Sequence, residues 1–473
     1  MEMSRTVNAI GAAERTRVRY WILLLIFVIT TLNYADRATL SVTGSAIRKE
    51  FGFDAIQIGY IFSAFSWSYV LSQLPSGWLL DRFGARRVYA WSICLWSVFT
   101  LFQSTIGLAG SAAASLVALF ALRFAMGIAE APAFPANAKV VSSWFPTAER
   151  GTASAIFNSA QYFAAVVFTP LMAWITHAFG WHYVYIVMGI TGLALALTWL
   201  KSMKSPADHP RVNRAELEHI AAGGGLVQGH QNVRARSTDT ANNASASPNA
   251  SSATPHQGPA RAPKGNGFAH ARQLLSNRML FGVYLAQYCI NVLTAFFLTW
   301  FPIYLVQQRG MTILQAGLIA SLPAICGFVG GVLGGVISDS LIRRGFTLTV
   351  ARKVPIIGGM LLSTTIIGCN YVTTDWIVVA LMSLAFFGKG VGALGWAVVS
   401  DTSPKEALGL SGAIFNMFGN IAGIVTPIVI GYLVAKTGSF NGALVFVGAN
   451  ALLTVFAYLV IVKDIKRVEL RAE

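Results

Sequence analysis

The sequence has few charged residues, and this scarcity excludes an ordinary soluble domain. Only 11% of its 473 residues are Asp, Glu, Lys or Arg, and 55% are apolar. Soluble domains have about 25% charged and about 45–50% apolar residues. A water-soluble fold cannot bury so much apolar surface, so the chain is predicted to lie in a membrane.

Acidic residues are scarcer than basic ones, 19 against 35, and the net charge is +16. Such an excess can indicate nucleic-acid binding. Here ten of the 35 bases lie in the stretch 201–278, and most others lie in short gaps between apolar runs. This distribution is typical of membrane topology, so no nucleic acid is expected as a partner.

Cysteine is also rare, and no two cysteines have the C-x-x-C spacing of a zinc site. The four are far apart in apolar segments: Cys94, Cys289, Cys326 and Cys369. No histidine falls at the centre of an apolar run. We therefore expect no metal and no cofactor, and any proton handling would have to use carboxylates.

Apolar runs of about 20 residues, the length that a membrane helix needs, occur twelve times. They lie at about 20–47, 57–80, 88–107, 113–137, 151–175, 183–200, 279–306, 313–338, 353–371, 376–400, 407–434 and 441–462. The sequence therefore predicts an all-α membrane protein with twelve transmembrane helices, numbered here as spans 1 to 12. Residues 1–201 form an N-terminal six-helix bundle and residues 278–473 a C-terminal one.

The stretch 202–277 between the two bundles is rich in Ser, Ala, Asn, Gly and Pro. It has too little apolar area to offset its chain entropy, so a disordered linker is predicted, with a short helix at most near Arg214–Glu218. Loops on the side of the termini contain 18 Lys or Arg, and those on the opposite side four. The positive-inside rule therefore places both termini and the linker in the cytoplasm.

The two halves are related by an internal repeat with an offset of 258 residues. Gly77-Trp-Leu-Leu-Asp81 aligns with Gly335-Val-Ile-Ser-Asp339, and Ala155-Ile-Phe-Asn158 aligns with Ala413-Ile-Phe-Asn416. Arg86 and Pro146 align with Arg344 and Pro404. Two pseudo-symmetric six-helix halves are typical of transporters that hold substrate between them, and an intramembrane enzyme has no need of them.

The segment Gly77-x-x-x-Asp81-Arg82-x-Gly84-x-Arg86-Arg87 resembles the signature of the major facilitator superfamily, and Asp339-Ser-Leu-Ile-Arg343-Arg344 resembles a weaker copy. Its acid would meet the end of a neighbouring helix while its arginines lie at the lipid headgroups. A plain positive-inside cluster would explain the arginines but not the Gly/Asp spacing. A conformational latch is expected from six residues: Gly77, Asp81, Arg82, Arg86, Asp339 and Arg344.

Five charged residues fall within predicted spans, where a charge costs at least about 2.5–3.5 kcal/mol. They are Asp36 and Arg37 in span 1, Arg123 and Glu130 in span 4, and Lys389 in span 10. Asp36 and Arg37 share a helix face, and Arg123 and Glu130 are about 10.5 Å apart along one face. Coupling and binding are the favoured roles for these four, and structural ion pairs between spans 1 and 4 are the alternative.

Lys389 lies in the glycine-rich segment Phe386-Phe-Gly-Lys-Gly-Val-Gly-Ala-Leu-Gly395, which permits close packing or a local break. In a continuous helix Trp396 would share its face. The alternative for Lys389 is a side chain that snorkels to the membrane surface.

Strings in spans 1, 4 and 10 and the loop string Trp144-Phe-Pro-Thr-Ala-Glu-Arg-Gly151 resemble the anion:cation symporters of that superfamily. Within these the chain most resembles bacterial D-glucarate/D-galactarate permeases. The resemblance implies that Asp36 and Glu130 are protonation sites, with Arg37 and Arg123 as partners of these acids or of substrate. It also implies that six further residues line a sugar-acid site: Tyr34, Tyr69, Gln161, Gln287, Trp396 and Asn416. Lys389 is expected to bind substrate as well.

These inferences predict proton-coupled uptake of a sugar diacid across a bacterial inner membrane by a monomer that alternates its access. A symporter for a sugar monoacid, galactonate or a hexuronate, is the alternative, and an organic-anion antiporter is less favoured. Span 5 lacks the G-x-x-x-G-P run of drug antiporters. A hydrolase or acyltransferase would need a Ser/His, His/Asp or two-Asp constellation, and a receptor would need a less plain linker.

Overall fold

The computed structural model describes residues 15–225, 227, 267–404 and 407–469. Helices account for all of the regular secondary structure in these ranges. The predicted spans correspond to Val18–Phe51, Ala55–Phe83, Ala85–Gln103, Ala112–Trp144, Thr147–Phe179, Trp181–Ser202, Arg278–Gln307, Ile313–Arg343, Leu348–Tyr371, Asp375–Thr402, Leu408–Thr437 and Asn441–Val462. The predicted all-α fold is confirmed.

Ten helices of the described chain are long and apolar enough to cross a membrane. The helices Ala55–Phe83 and Ala85–Gln103 occupy the positions of spans 2 and 3. Because the spans alternate in direction, residues 15 and 469 lie on one side of the bundle, called here the termini side. The opposite side is called the far side.

Several spans are interrupted, which the apolar runs did not predict. Span 4 consists of Ala112–Glu130 and Ala133–Trp144, with Pro132 between them. Span 10 consists of Asp375–Val391 and Gly395–Thr402, separated by a Gly-Ala-Leu turn. Proline and clustered glycine are the residues that interrupt membrane helices most readily.

The two halves are packed closely against each other on the far side. A Cβ at Gly59 of span 2 would lie 2.6 Å from the carbonyl oxygen of Pro427 in span 11. A Cβ at Gly431 would lie 2.6 Å from the carbonyl oxygen of Ala55. Glycine alone allows helix backbones to approach this closely, so spans 2 and 11 close the far side between the halves.

The prediction that residues 202–277 are disordered is wrong at both ends of that segment. Its first part contains the turn Pro206–Asp208 and the helix Arg214–Ala222, called here the linker helix, and its last part contains the helix Gly267–Ser276. The predicted helical start near Arg214 is confirmed. Residues 228–266 of the predicted linker lie outside the described residues.

The linker helix is held by a buried carboxylate, which composition could not reveal. The side chain of Glu216 is fully buried and accepts hydrogen bonds from the backbone N–H groups of Val18 and Arg19, both at 3.2 Å. It also accepts from the Thr16 hydroxyl at 2.6 Å and pairs with the Arg19 guanidinium at 3.3 Å. Glu216 therefore caps the first turn of span 1.

We predict that Glu216→Ala lowers the free energy of unfolding by about 1.5–3 kcal/mol, because it removes charge-assisted bonds and leaves two N–H groups of span 1 unpaired. Glu218→Ala is the matched control, because Glu218 is largely exposed and its ion pair with Arg214 lies in solvent. Thermal unfolding of the purified protein measures both. Equal melting temperatures for the two variants would contradict this account.

Candidate functional site

A cavity of about 90 Å³ lies between the two halves. Spans 1 and 5 line it on one side, and spans 7, 8 and 10 line it on the other. The wall is mostly apolar with a few polar groups, as in small-molecule sites generally. Its polar members are Tyr34, Ser41, Gln161, Tyr162, Thr169, Thr294 and Lys389. Tyr34, Gln161 and Lys389 were expected from the sequence to contact substrate.

Lys389 is the only charged residue in the described lining of this cavity. Its residue surface is 7% exposed, and its Nζ lies 5.2 Å from the centre of the Phe386 ring. No described carboxylate lies within 4.0 Å of Nζ, so the attraction of the aromatic ring is its local compensation. A buried cation without a counter-ion favours an anionic ligand in the cavity.

Arg37 and Glu130 form a buried ion pair that joins spans 1 and 4. The Arg37 Nε donates to Glu130 Oε2 at 2.8 Å, and the two side chains are 12% and 0% exposed. The rings of Tyr34, Phe65 and Tyr69 surround the guanidinium, with their centres 5.0, 4.7 and 4.8 Å from its carbon. Tyr34 also lines the cavity, so it contacts both the cavity and Arg37.

Asp36 and Arg123 complete a neutral group of four buried charges. Asp36 is fully buried, and neither of its carboxyl oxygens has a hydrogen-bond partner among the described residues. Arg123 donates to the carbonyl oxygen of Arg37 at 3.5 Å, and its Nε and Nη1 are unpaired in the same sense. Arg123 makes no ion pair with Glu130 in the described structure, in agreement with their predicted separation. We call these four residues the charge cluster.

Several buried polar atoms of the charge cluster have no close hydrogen-bond partner among the described residues. Buried polar atoms without partners each cost about 1–3 kcal/mol. Both polar side-chain atoms of Asn33, beside the charge cluster, have no partner among the described residues. Glu130 Oε1 has none either. A group of this kind retains donors and acceptors that a proton or an anion can engage.

The two interrupted spans place Glu130 and Lys389 at equivalent positions. Glu130 is the last residue of Ala112–Glu130, and Lys389 is in the last turn of Asp375–Val391. With the repeat offset of 258 residues, Glu130 corresponds to Gly388, next to Lys389. A helix C-terminus favours a cation and disfavours an anion. The helix end in span 10 therefore stabilises the positive charge of Lys389, whereas the helix end in span 4 destabilises the negative charge of Glu130.

The other expected substrate residues are not in the described lining of the cavity. Tyr69 contacts Arg37. Asn416 donates to Gln73 Oε1 at 3.2 Å across the two halves. Gln287 lies beside Gly395 at the span 10 break, where a Cβ would be 2.8 Å from its Oε1.

The shared face of Lys389 and Trp396 is a wrong prediction. The helix ends at Val391 and a new one begins at Gly395, so the spacing of seven residues no longer defines one face. Trp396 instead packs edge-on against Phe415, with ring centres 4.9 Å apart, and is 58% exposed. Its role in substrate binding stays a prediction.

Three of the expected latch residues, Gly77, Arg82 and Arg86, have contacts within their own half or open space beside them. A Cβ at Gly77 or at Gly335, its counterpart in the repeat, would have no atom within 4 Å. Arg86 donates to the Leu200 carbonyl oxygen at 2.9 Å, and the Arg82 guanidinium lies over the rings of Trp78 and Phe83. Because both of these rings are exposed, Arg82 lies at the apolar surface.

The remaining latch residues are Asp81, Asp339 and Arg344. The side chain of Asp81 lies outside the described residues, and Arg344 is exposed. Asp339 lies 3.9 Å from Arg352, which also pairs with Asp401 at 2.9 Å. Sequence reasoning counted Arg352 only as a loop charge, because the pairing with Asp401 joins segments 49 residues apart.

Aromatic and hydroxyl side chains in the cavity wall were missed by sequence reasoning. Phe297 and Phe386 line the cavity with their ring centres 4.4 Å apart, and Tyr162 lies next to the expected Gln161. Phenylalanines in apolar runs give no signal that separates a cavity wall from lipid contact. Thr294 also lines the cavity, and its buried hydroxyl has no hydrogen-bond partner among the described residues.

Comparison with known sequences gives matches along nearly the whole chain. The model of the Major Facilitator Superfamily matches residues 26–352. The chain is 57% identical over 462 residues to the probable galactarate/D-glucarate transporter GudP of Bacillus subtilis, covering 98% of this chain and 96% of that protein. It is 41% identical over 459 residues to a D-galactonate transporter of Escherichia coli O6:H1, covering 97% and 99%.

Comparison with solved structures shows the same fold at low sequence identity. The crystal structure of a D-xylose-proton symporter superposes with a TM-score of 0.66 at 16% identity, covering 93% of this chain and 97% of that one. A similarity at this identity concerns the arrangement of the helices alone. The two-bundle arrangement is thus one found in solved membrane transporters.

Proposed function

The chain belongs to the major facilitator superfamily, and from this premise we propose that it takes up a sugar diacid, D-glucarate or galactarate, together with protons. It is a multi-pass membrane transporter. We further propose that the membrane is the bacterial inner membrane and that the termini side is cytoplasmic. The single observation that carries the substrate class is Lys389, the cation in the wall of the cavity between the halves.

Three cations are available to a dianionic substrate. Arg37 and Arg123 lie in one half and Lys389 in the other. An extended six-carbon diacid has a carboxylate at each end. One carboxylate can bind Lys389 while the other lies at Tyr34, the lining residue that contacts Arg37. Charge-assisted bonds from both halves would make substrate binding favour closure around the cavity.

Protonation of Asp36 and Glu130 provides the proposed coupling. The charge cluster is neutral as a whole, and the Glu130 carboxylate forms an ion pair with the Arg37 guanidinium. Proton binding to the two acids would leave Arg37 and Arg123 uncompensated, and a substrate anion could then neutralise them. Proton and anion binding would thereby increase each other's affinity, as linkage requires.

The membrane potential limits the number of protons that the cycle requires. An inside-negative potential opposes each entering negative charge by about 2.3 kcal/mol per 100 mV. A dianion that enters with two protons is neutral overall, and its uptake depends on the pH gradient alone. More than two protons are needed before the potential itself drives uptake.

The structure supports a state of the cycle that is closed on the far side. Glycine contacts join spans 2 and 11 there, whereas Gly77 and Gly335 on the termini side face open space. We propose that these two glycines contact the opposite half when the transporter opens to the far side. Alternating access would then exchange one set of close glycine contacts for the other.

A sugar monoacid is the second candidate substrate, favoured by the 41% identity to a D-galactonate transporter. Unfolding measurements with galactarate, D-glucarate and D-galactonate distinguish the two candidates. We predict that the diacids raise the melting temperature at lower concentration than the monoacid, because a monoacid leaves Lys389 unpaired. A lower concentration requirement for galactonate would identify a monoacid transporter.

A further inference from the structure

A second cavity, of about 580 Å³, lies on the termini side and shares no lining residue with the cavity between the halves. It is formed by the start of span 1, the end of span 6 and the loop that leads to the linker helix. The lining residues that carry charge are all basic: Arg17, Lys201, Lys204 and Arg211. We call this cavity the basic pocket.

The four bases of the basic pocket have no counter-ion of their own. None of their side chains forms an ion pair with a described carboxylate. The nearby acid Glu216 is already occupied by Thr16 and Arg19. His209 also lies in the wall. Burial lowers the pKa of this histidine, and the positive charges of Lys204 and Arg211 lower it further.

The membrane-facing surfaces beside the basic pocket are apolar. Spans 1 and 6 pack against each other. Trp21, Leu24 and Val28 share the outer face of span 1 and are 49%, 49% and 39% exposed, and Leu197 and Leu200 of span 6 are 60% and 43% exposed. Trp21 belongs both to this face and to the basic pocket, the position that tryptophan prefers at a membrane–water interface.

From this geometry we propose that the basic pocket binds the phosphate headgroup of an anionic phospholipid in the leaflet on the termini side. The acyl chains lie along the apolar faces of spans 1 and 6. Basic pockets between transmembrane helices recognise such headgroups by charge. The apolar faces favour a lipid over a free phosphate ion, because an ion would leave them unused.

Binding there would join span 1 to the chain that follows span 6. Span 1 carries Asp36 and Arg37, and its first turn is already bonded to Glu216 of the linker helix. A bound anionic headgroup would reduce the repulsion among these four like charges across this junction. The lipid would thereby stabilise the folded protein.

The test uses the full-length protein in neutral detergent, with phosphatidylglycerol, phosphatidylcholine, glycerol 3-phosphate and inorganic phosphate as separate additions. Native mass spectrometry counts bound lipid, and thermal unfolding measures stabilisation. We expect binding and stabilisation by phosphatidylglycerol alone. Equal binding of phosphatidylcholine, or equal stabilisation by the two soluble phosphates, would overturn the lipid assignment.

The triple variant Lys201→Gln, Lys204→Gln, Arg211→Gln should bind phosphatidylglycerol about 100-fold more weakly, since each base near an anionic lipid contributes roughly a factor of five. The control Arg272→Gln, Lys463→Gln, Lys466→Gln removes the same charge from the termini side of the other half and should bind normally. Substrate counterflow verifies that both variants are folded. Similar losses in the two variants would indicate general surface charge and overturn the proposal.

Discussion

Glu130→Gln is expected to abolish the accumulation of substrate against a gradient while counterflow of labelled substrate continues. The amide is close in shape to a protonated carboxyl, and its oxygen can still accept the hydrogen bond from Arg37 Nε. The variant therefore mimics an acid that never releases its proton. Each coupled proton otherwise permits about tenfold accumulation per unit of pH difference.

Two variants accompany this measurement. Glu218→Gln removes an exposed carboxylate of the linker helix and should accumulate substrate normally. Arg123→Ala should weaken substrate binding itself, since it removes a cation and leaves proton exchange possible at both acids. Normal accumulation by Glu130→Gln would assign coupling elsewhere, and Asp36→Asn is the next variant to examine because the two acids titrate as a pair.

Lys389→Gln is expected to lower the affinity for galactarate or D-glucarate by tenfold or more. This corresponds to the loss of about 1.5–3 kcal/mol of charge-assisted bonding. The affinity for D-galactonate should fall much less, because this acid has one carboxylate and its other end needs no cation. Calorimetric titration of the purified protein with each acid measures the difference.

Lys389→Arg is the matched control, because it keeps the positive charge beside the Phe386 ring. It should keep the preference for diacids even if the longer head lowers affinity for all ligands. Equal losses of affinity for diacid and monoacid in Lys389→Gln would contradict the binding role. They would indicate that Lys389 is structural at the span 10 break or that its side chain snorkels to the membrane surface.

The twelve spans could be predicted because apolar length alone fixes a membrane crossing. The interruptions could not, since a proline or a glycine run permits a break without requiring one. Span 8 contains Pro323 and continues without interruption, whereas span 4 is interrupted at Pro132. The position of Trp396 relative to Lys389 depended on such a break and was therefore wrong.

The charge cluster could be located from the sequence, because a charge in an apolar run is conspicuous. Its pairing could not, since the Arg37–Glu130 contact joins residues 93 positions apart. The aromatic rings around Arg37 were equally hidden: Phe65 and Tyr69 lie on span 2 and show no pattern relative to span 1. Structure decides which charges meet and which stay unpaired.

The same limit explains the linker helix. A composition of small and polar residues predicts disorder correctly only where no distant partner supplies binding energy. Glu216 finds its partners at Thr16, Val18 and Arg19, about 200 residues earlier in the chain. The segment from Pro206 to Ala222 is folded because of these contacts.

The most direct test of proton-coupled sugar-acid uptake uses the purified protein in liposomes with a pH gradient of about one unit, inside alkaline, and no membrane potential. The account predicts that labelled galactarate accumulates inside to several times its outside concentration and that a protonophore abolishes this accumulation. Uptake that stops at equal concentrations, despite the maintained pH gradient, would contradict it.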